Sequence, residues 1–331
     1  MEKMKVGTVG YGGAFNMGRQ HLRELLLNPG FEAAAVCDLD PERLKSAQQD
    51  FPGIQTYTSV DEMLRKSDVE LLVVILPHNL HAEVAIKCLR SGRHVVVEKP
   101  FAITVKECDA MIAAAKAKKL LLSTYHNRHW DSNILTIMKH LHKIGRPFRW
   151  ESHAGGYGEP REWWRSYKKF SGGIIYDWGA HFTEWMLQVM QYDMQEISGY
   201  QVAGEVWKKY TNEEEVEAVV RFKGNAVASH TASSICLAGK DMIRITGTKG
   251  AIVATHNSVD IYTQHKGGDK VRTSVKMEPG RGTDYYKNVH DHLFKGEKLV
   301  ITAELARRVI QVLDYAGISA QKGTAVKAKY A

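Results

Sequence analysis

From Met4 to about Tyr125, short β-rich runs alternate with amphipathic helical patterns, and no other feature of this chain constrains its fold as tightly. The strand candidates are Lys5–Gly10, Ala33–Asp38, Ile54–Tyr57, Leu71–Leu76, His94–Val97 and Leu120–Tyr125. Between them lie RQHLRELLLN, PERLKSAQQD, LHAEVAIKCLRSG and TVKECDAMIAAAKAKK, each with apolar residues at helical spacing. Pro29-Gly30 and Ser91-Gly92 stop two of these helices. The three consecutive valines at 95–97 suit an inner strand covered on both faces. Strands that alternate with helices predict right-handed βαβ units, and so an α/β fold with a doubly wound parallel sheet over residues 1–125.

After Tyr125 the texture changes. A helical run over 134–144 ends at Gly145-Arg146-Pro147 and leads into a strand at Phe148–His153. From Ile197 to Lys276, VEAVVRFKG, NAVASHTAS, DMIRITGT and GAIVATH follow one another, punctuated by Lys223-Gly224-Asn225 and Lys249-Gly250. This pattern predicts a C-terminal α+β domain, residues 126–331, built on a large, mostly antiparallel open sheet. One face of it is expected to be covered by helices or a partner subunit. The final helices, near 285–294 and 303–320, are expected to pack back across the sheet and the domain junction.

Two domains suit a chain of 331 residues, which is longer than most single cores. With 44% hydrophobic and 25% charged residues, it has the composition of a soluble globular protein. The net charge of +8 is scattered, apart from a small cluster in KGTAVKAKYA, so a solvated surface is expected and no nucleic-acid partner. No apolar run is long enough for a membrane span. MEKMKVGTVG runs straight into a strand and a glycine loop, which leaves no room for a signal peptide. Cys37, Cys88, Cys108 and Cys236 lie far apart in apolar segments; they read as small core residues and fit a reducing cytoplasm. No HxH or HExxH spacing occurs, so no metal site is expected.

A doubly wound sheet binds ligands beyond the carboxyl ends of its strands. The first strand is followed by GYGGAFNMGRQH, residues 10–21. Gly10 and Gly12 supply a tight turn and close backbone approach, but the third glycine of G-x-G-x-x-G falls on Phe15. With three residues inserted, Gly18 takes the third position, at the start of a helix whose N–H groups would face a pyrophosphate. Gly13 and the insertion, including Ala14, Phe15 and Asn16, then join the candidate cofactor contacts. Asp38 ends the second strand, twenty residues beyond Gly18. A carboxylate there hydrogen-bonds ribose hydroxyls and repels a ribose phosphate, which favours NAD over NADP. It also suits a helix cap, though Asp40 is better placed for that.

The valine run ends abruptly in Glu98-Lys99-Pro100. Lys99 and Glu98 read equally as a structural ion pair or as a lysine delivered to the cleft for proton transfer. Pro100 fixes the turn and suits a cis bond. In SGGIIYDWGAHFTEWMLQVM, residues 171–190, Asp177 and His181 stand four apart on one helical face. By itself such a pair on a soluble helix is more commonly a surface contact than a catalytic one.

These stretches, with LPHNLHAEVA (76–85), NR (127–128), WWRSYKKFSGGIIYDWGAH (163–181), TGTKG (246–250) and ITAELARRVIQVLDYAGISAQKG, resemble the glucose–fructose oxidoreductase/inositol dehydrogenase (Gfo/Idh/MocA) family over nearly the whole length. The resemblance implies an N-terminal Rossmann domain and an NAD(P)-dependent oxidoreductase. It adds Leu76, Pro77, His81, Glu98 and Lys99 to the cofactor contacts. It places Arg128, Arg165 and Lys169 near the substrate, and Lys99, Asp177 and His181 at the reacting hydroxyl. His181 is then the expected general base, with a reference pKa near 6.5. Lys99 orients the oxygen, and Asp177 clamps substrate or supports the histidine. Aromatic residues including Tyr157 and Trp164, with basic side chains interleaved, suit a sugar, cyclitol or glycoside ring, although core or interface packing is the plainer reading of Trp164 and Trp185. Two alternatives stand beside a dehydrogenase: a redox-neutral, NAD-using glycoside-cleaving enzyme, with Tyr157 or Tyr176 as an added acid or base, and a non-catalytic sugar- and dinucleotide-binding regulator. A homodimer or homotetramer is expected, because the open sheet should otherwise expose a large apolar patch.

Overall fold

A computed structural model of the chain describes residues 3–13, 15–265 and 267–331. It divides into two compact units. The first comprises Met1–His126 with Thr283–Arg307, and the second Asn127–Gly282 with Arg308–Ala331. The division differs from the split after residue 125 read from the sequence chiefly in one segment: residues 283–307 return to the first unit.

The first unit runs β1 (Met4–Val9), α1 (Met17–Leu26), β2 (Phe31–Cys37), α2 (Pro41–Asp50), β3 (Gln55–Tyr57), α3 (Val60–Lys66), β4 (Leu71–Val74), α4 (His81–Arg90), β5 (His94–Val97), α5 (Val105–Lys118) and β6 (Leu122–Thr124). The six strands lie in the order β3-β2-β1-β4-β5-β6, all parallel. This is the doubly wound Rossmann order, with its reversal between β1 and β4. Leu71–Val74 and Val95–Val97 are fully buried, which explains why these strands show no alternation. Thr104 and Glu107 close a capping box at the start of α5. Asp40 caps α2 by accepting from the Glu42 N–H. This leaves Asp38 available for another role.

The second unit contains α6 (Ser132–His140), β7 (Pro147–Gly155), α7 (Lys168–Ser171), α8 (Ile175–Met190), β8 (Met194–Val202), β9 (Glu215–Phe222), β10 (Val227–Ser233), β11 (Ile243–Gly247), β12 (Gly250–Ala254), β13 (Val259–Gln264) and β14 (Lys270–Ser274). The chain then forms α9 (Asp284–Lys295), which belongs to the first unit, and α10 (Ala303–Lys322), which begins in the first unit and ends in the second. A short β15 (Val326–Lys327) completes a nine-stranded sheet in the order β14-β13-β12-β11-β7-β10-β9-β8-β15. Its pairings are antiparallel except for β7 with β10.

Helix α8 covers one face of that sheet. Phe182 stacks on His230 of β10 at 4.9 Å, and Trp150, Ala228, Val220 and Ile245 on the same face are buried. The opposite face carries Arg149, Glu151, Glu217, Arg221 and Arg244 with Val219, Val227 and Val253 among them. It is a mixed polar surface, not the apolar patch anticipated, because charged residues occupy alternate positions of the central strands. Among the described residues, no helix is long and apolar enough to cross a membrane.

Candidate active site

In the first unit, the chain turns sharply after β1 at Gly10, whose φ is 90°. A Cβ there would lie 1.9 Å from the Ile75 carbonyl oxygen, so glycine is required. Tyr11 is anchored three ways. Its N–H donates to Asp38 Oδ2 at 2.7 Å, its carbonyl accepts from the Gly18 N–H at 3.0 Å, and its phenol donates to Asp50 at 2.7 Å. Arg19 holds the same Asp50 oxygen at 2.6 Å. A Cβ on Gly18 would sit 2.7 Å from Tyr11 Cα. Gly18 therefore makes the close helix-to-turn approach that the insertion predicts, in place of Phe15.

Gly12 has φ 76°, and Asn16, at the N-cap of α1, is left-handed at φ 50°. Phe15 is 57% exposed. Ala14 lies outside the described residues. The Arg43 guanidinium lies against Gly13, where a Cβ would meet a terminal nitrogen at 2.6 Å, and it pairs with Asp40 at 3.7 Å. A glycine-lined turn at the start of a ten-residue helix, a basic group over it and a carboxylate at the end of β2 fit a dinucleotide.

Beyond β4 and β5, Leu76 and Pro77 lead into α4, and Glu98, Lys99 and Pro100 follow Val97. The Lys99–Pro100 bond is cis, and Lys99 is half-buried. His81, fully buried, directs Nδ1 at the Pro100 carbonyl and Nε2 at the Leu76 carbonyl, both at 2.8 Å. Glu98 accepts from the Lys99 N–H at 2.8 Å and lies 3.0 Å from His21 Nε2. Burial works to raise the Glu98 pKa, yet the His21 hydrogen bond, the Lys99 charge and the Lys99 N–H hold it below the ordinary carboxylate value. His21 Nδ1 in turn meets the Tyr286 hydroxyl at 2.6 Å.

The second unit carries the other candidates. On α8, Asp177 accepts from Arg165 at 2.6 Å, and the Arg165 guanidinium lies 5.3 Å and 5.0 Å from the ring centroids of Trp163 and Trp164. His181, buried one turn on, has its ring edge-on to Trp178 at 5.7 Å. Arg128 lies over the same indole, 4.9 Å from the Trp178 centroid, and donates to Asp131 at 2.7 Å. The structure thus brings Asp177 to Arg165, and both His181 and Arg128 to Trp178. Trp185 is core, its N–H donating to the Arg128 carbonyl at 2.7 Å.

Two candidates fall elsewhere in the second unit. Tyr157 is half-exposed and packs against Trp207 at 5.4 Å. Lys169 is exposed over Phe170, whereas its neighbour Lys168 pairs with buried Glu213. Glu213 also reaches the Ile174 N–H at the start of α8 at 3.4 Å. Arg43, His21, Tyr286 and Glu213 were not singled out from the sequence. For Arg43 the signal was a basic residue one turn into the helix after Asp38; the other contacts span 39 to 265 positions and left no local pattern. Among the described residues, no cluster of His, Cys, Asp or Glu could hold a metal ion.

The fold and its glycine turn define a dinucleotide-binding class of protein. Residues 4–126 match the family model of an oxidoreductase family with an NAD-binding Rossmann fold, and residues 140–253 match the GFO/IDH/MocA C-terminal domain. The chain belongs to the Gfo/Idh/MocA family. It is 26% identical to the scyllo-inositol 2-dehydrogenase (NADP(+)) IolW of Bacillus subtilis, over 96% of this chain and 93% of that protein. An uncharacterized oxidoreductase of Schizosaccharomyces pombe, C115.03, is 37% identical, but over only 42% of this chain and 39% of its own length. The solved structure of Bacillus subtilis YvaA shares the fold with a TM-score of 0.88, at 22% identity over 99% of both chains.

Proposed function

We propose that the protein is an NAD-dependent dehydrogenase that oxidises a secondary hydroxyl of a sugar, cyclitol or glycoside, working in the cytoplasm as a homodimer or homotetramer. The observation that carries this reading is Lys99, half-buried at the carboxyl end of β5 in the Rossmann unit of an oxidoreductase family. The dinucleotide, when bound, supplies the hydride acceptor. Gly10, Gly12, Gly13 and the start of α1 hold its phosphates, and Asp38 holds the adenosine ribose. His181 takes the hydroxyl proton, Lys99 orients that oxygen and stabilises its developing negative charge, and Asp177, braced by Arg165, positions the substrate. Proton transfer by a positioned group is worth roughly 10²–10⁴-fold. The aromatic and basic surroundings of Asp177 and His181 favour a ring bearing several hydroxyls, in keeping with the inositol named for IolW.

NADP is the second reading for the cofactor, favoured by Arg43 at Gly13 and by the NADP(+) in the name of IolW. Calorimetric titration with both dinucleotides separates the two. For the reaction, the purified protein is mixed with NAD and a panel of free sugars, inositols and aryl glycosides while reduced nicotinamide is followed by absorbance. NADH should accumulate, and Lys99→Met and His181→Ala should each remove at least about 10²-fold of the rate while still binding NAD. Released aglycone without NADH would replace this reading with redox-neutral cleavage. Silence across the panel despite tight NAD binding would leave a substrate outside the panel or the regulator as the live options.

A further inference from the structure

Lys99 has no regular secondary structure to hold it, since β5 ends at Val97 and α5 begins at Val105. A misplacement of about 1 Å at a reacting group costs on the order of 10²-fold in rate. Something must therefore fix the Glu98–Lys99–Pro100 turn, and two fully buried histidines flank it. His21, on α1, faces the Glu98 carboxylate at 3.0 Å, and the other Glu98 oxygen accepts from the Lys99 N–H at 2.8 Å. His81, at the start of α4, faces the Pro100 carbonyl at 2.8 Å and the Leu76 carbonyl at the same distance. One histidine thus holds the residue before Lys99 and the other the residue after it. Each sits on the helix that follows a strand of the cofactor-binding sheet, β1 or β4.

The chain through His21 is directional. With Nε2 donating to Glu98, Nδ1 is left to accept from the Tyr286 hydroxyl at 2.6 Å. Tyr286 then fixes the tautomer, as a second partner fixes the role of a histidine elsewhere. The ring cannot tilt away, because Tyr125 contacts it edge-on at 4.2 Å and lies stacked on Tyr286 at 5.5 Å. Tyr125 is itself tied to Glu24.

We propose that His21 and His81 are positioning residues that clamp the Glu98–Lys99–Pro100 turn from both sides, with Tyr286 setting the orientation of His21. The clamp rests on the reading of Lys99 as the group that handles the substrate oxygen, but its test needs no substrate. The full-length protein is exposed to limiting acetic anhydride, and acetylation of Lys99 is measured by peptide mass spectrometry relative to exposed Lys118. His21→Phe and His81→Phe should each change the relative rate at Lys99 several-fold. His21→Gln keeps a donor where Nε2 faces Glu98, and His81→Asn keeps one where Nδ1 faces Pro100, so both should stay at the wild-type rate. Tyr286→Phe removes one hydroxyl and serves if His21→Phe fails to fold; it should shift the rate in part. An unchanged Lys99 rate in the folded Phe variants overturns the clamp. So do amide variants that behave like the Phe variants, since packing and not donation would then be the cause. A silent substrate panel leaves this result untouched, and a failed clamp leaves the panel result untouched.

Discussion

Gly18→Ala isolates the close approach of α1 to the glycine turn. The added Cβ would lie 2.7 Å from Tyr11 Cα and 2.8 Å from the Tyr11 carbonyl oxygen, where carbon atoms ordinarily settle at about 3.5–4.0 Å. Both obstacles are backbone, and Tyr11 is fixed by Asp38 and Asp50. Helix and turn must therefore separate by about 1 Å. Alanine recovers about 1 kcal/mol of helix propensity, while overpacking costs about 1–3 kcal/mol. The clash wins, leaving a net loss of roughly 1 kcal/mol in stability. Cofactor binding should suffer more. Hydrogen bonds from the turn to a charged phosphate are worth about 1.5–3 kcal/mol each, so losing one raises the Kd for NAD on the order of 10–100-fold. Stability is read from urea unfolding by circular dichroism, because all seven tryptophans lie at or beyond residue 130, in the second unit. Affinity is read by calorimetry. If Gly18→Ala binds NAD like the wild type and unfolds at the same urea concentration or higher, the close approach is not a constraint and Gly18 does not fill the third glycine position.

Asp38→Ala strips the acceptor from the Tyr11 and Asp40 N–H groups; the Kd for NAD should rise about tenfold or more, and the preference over NADP should narrow, as calorimetry with both dinucleotides will show. Thr104→Ala opens the capping box of α5 and should cost about 1 kcal/mol in urea unfolding. His230 is held neutral, its pKa pushed down to about 3 by burial and by the nearby His153 charge. Its folded value lies below its unfolded one, so the unfolded chain takes up a proton below pH 6.5 that the native state refuses until about pH 3. Stability is therefore lost as pH falls through that window, by about 2 kcal/mol at pH 5. His230→Asn, which keeps an uncharged polar group for Ser152, should flatten the urea midpoint between pH 7 and pH 5 relative to wild type.

Much of the first unit was legible because its information is local. Strand runs, helix periodicity and the stops at Pro29-Gly30 and Ser91-Gly92 each act within a few residues, and the parallel order follows from their alternation. The third glycine was readable because Gly18 and the turn are neighbours in the chain. The β7–β10 parallel pair at the heart of the second sheet was not, since nothing local distinguishes a strand that pairs in parallel across 78 positions. The face opposite α8 was misjudged for a related reason: which alternate residues point outward depends on the register, and Arg149, Glu151 and Glu217 fall on that side. Helical spacing put Asp177 and His181 on one face, but only the family resemblance gave them and Arg165 a role, and the contacts of Asp177 with Arg165 and of His181 with Trp178 were not readable. The support of Glu98 was invisible, since His21 lies 77 residues before it and Tyr286, which bonds His21, lies 265 residues beyond His21.

The return of residues 283–307 to the first unit also sets an order of events during synthesis. Phe294 packs edge-on against Phe31, His290 meets the Pro29 carbonyl, and Tyr285 bonds Ser123. The six-stranded sheet can pair once residue 126 has left the ribosome, but its aromatic box around His21 stays open until α9 arrives. At roughly 5–20 residues per second, that wait lasts on the order of ten seconds or more. The nascent N-terminal half must spend this interval with an unfilled apolar seat. A gene fragment ending at residue 126 would never fill it.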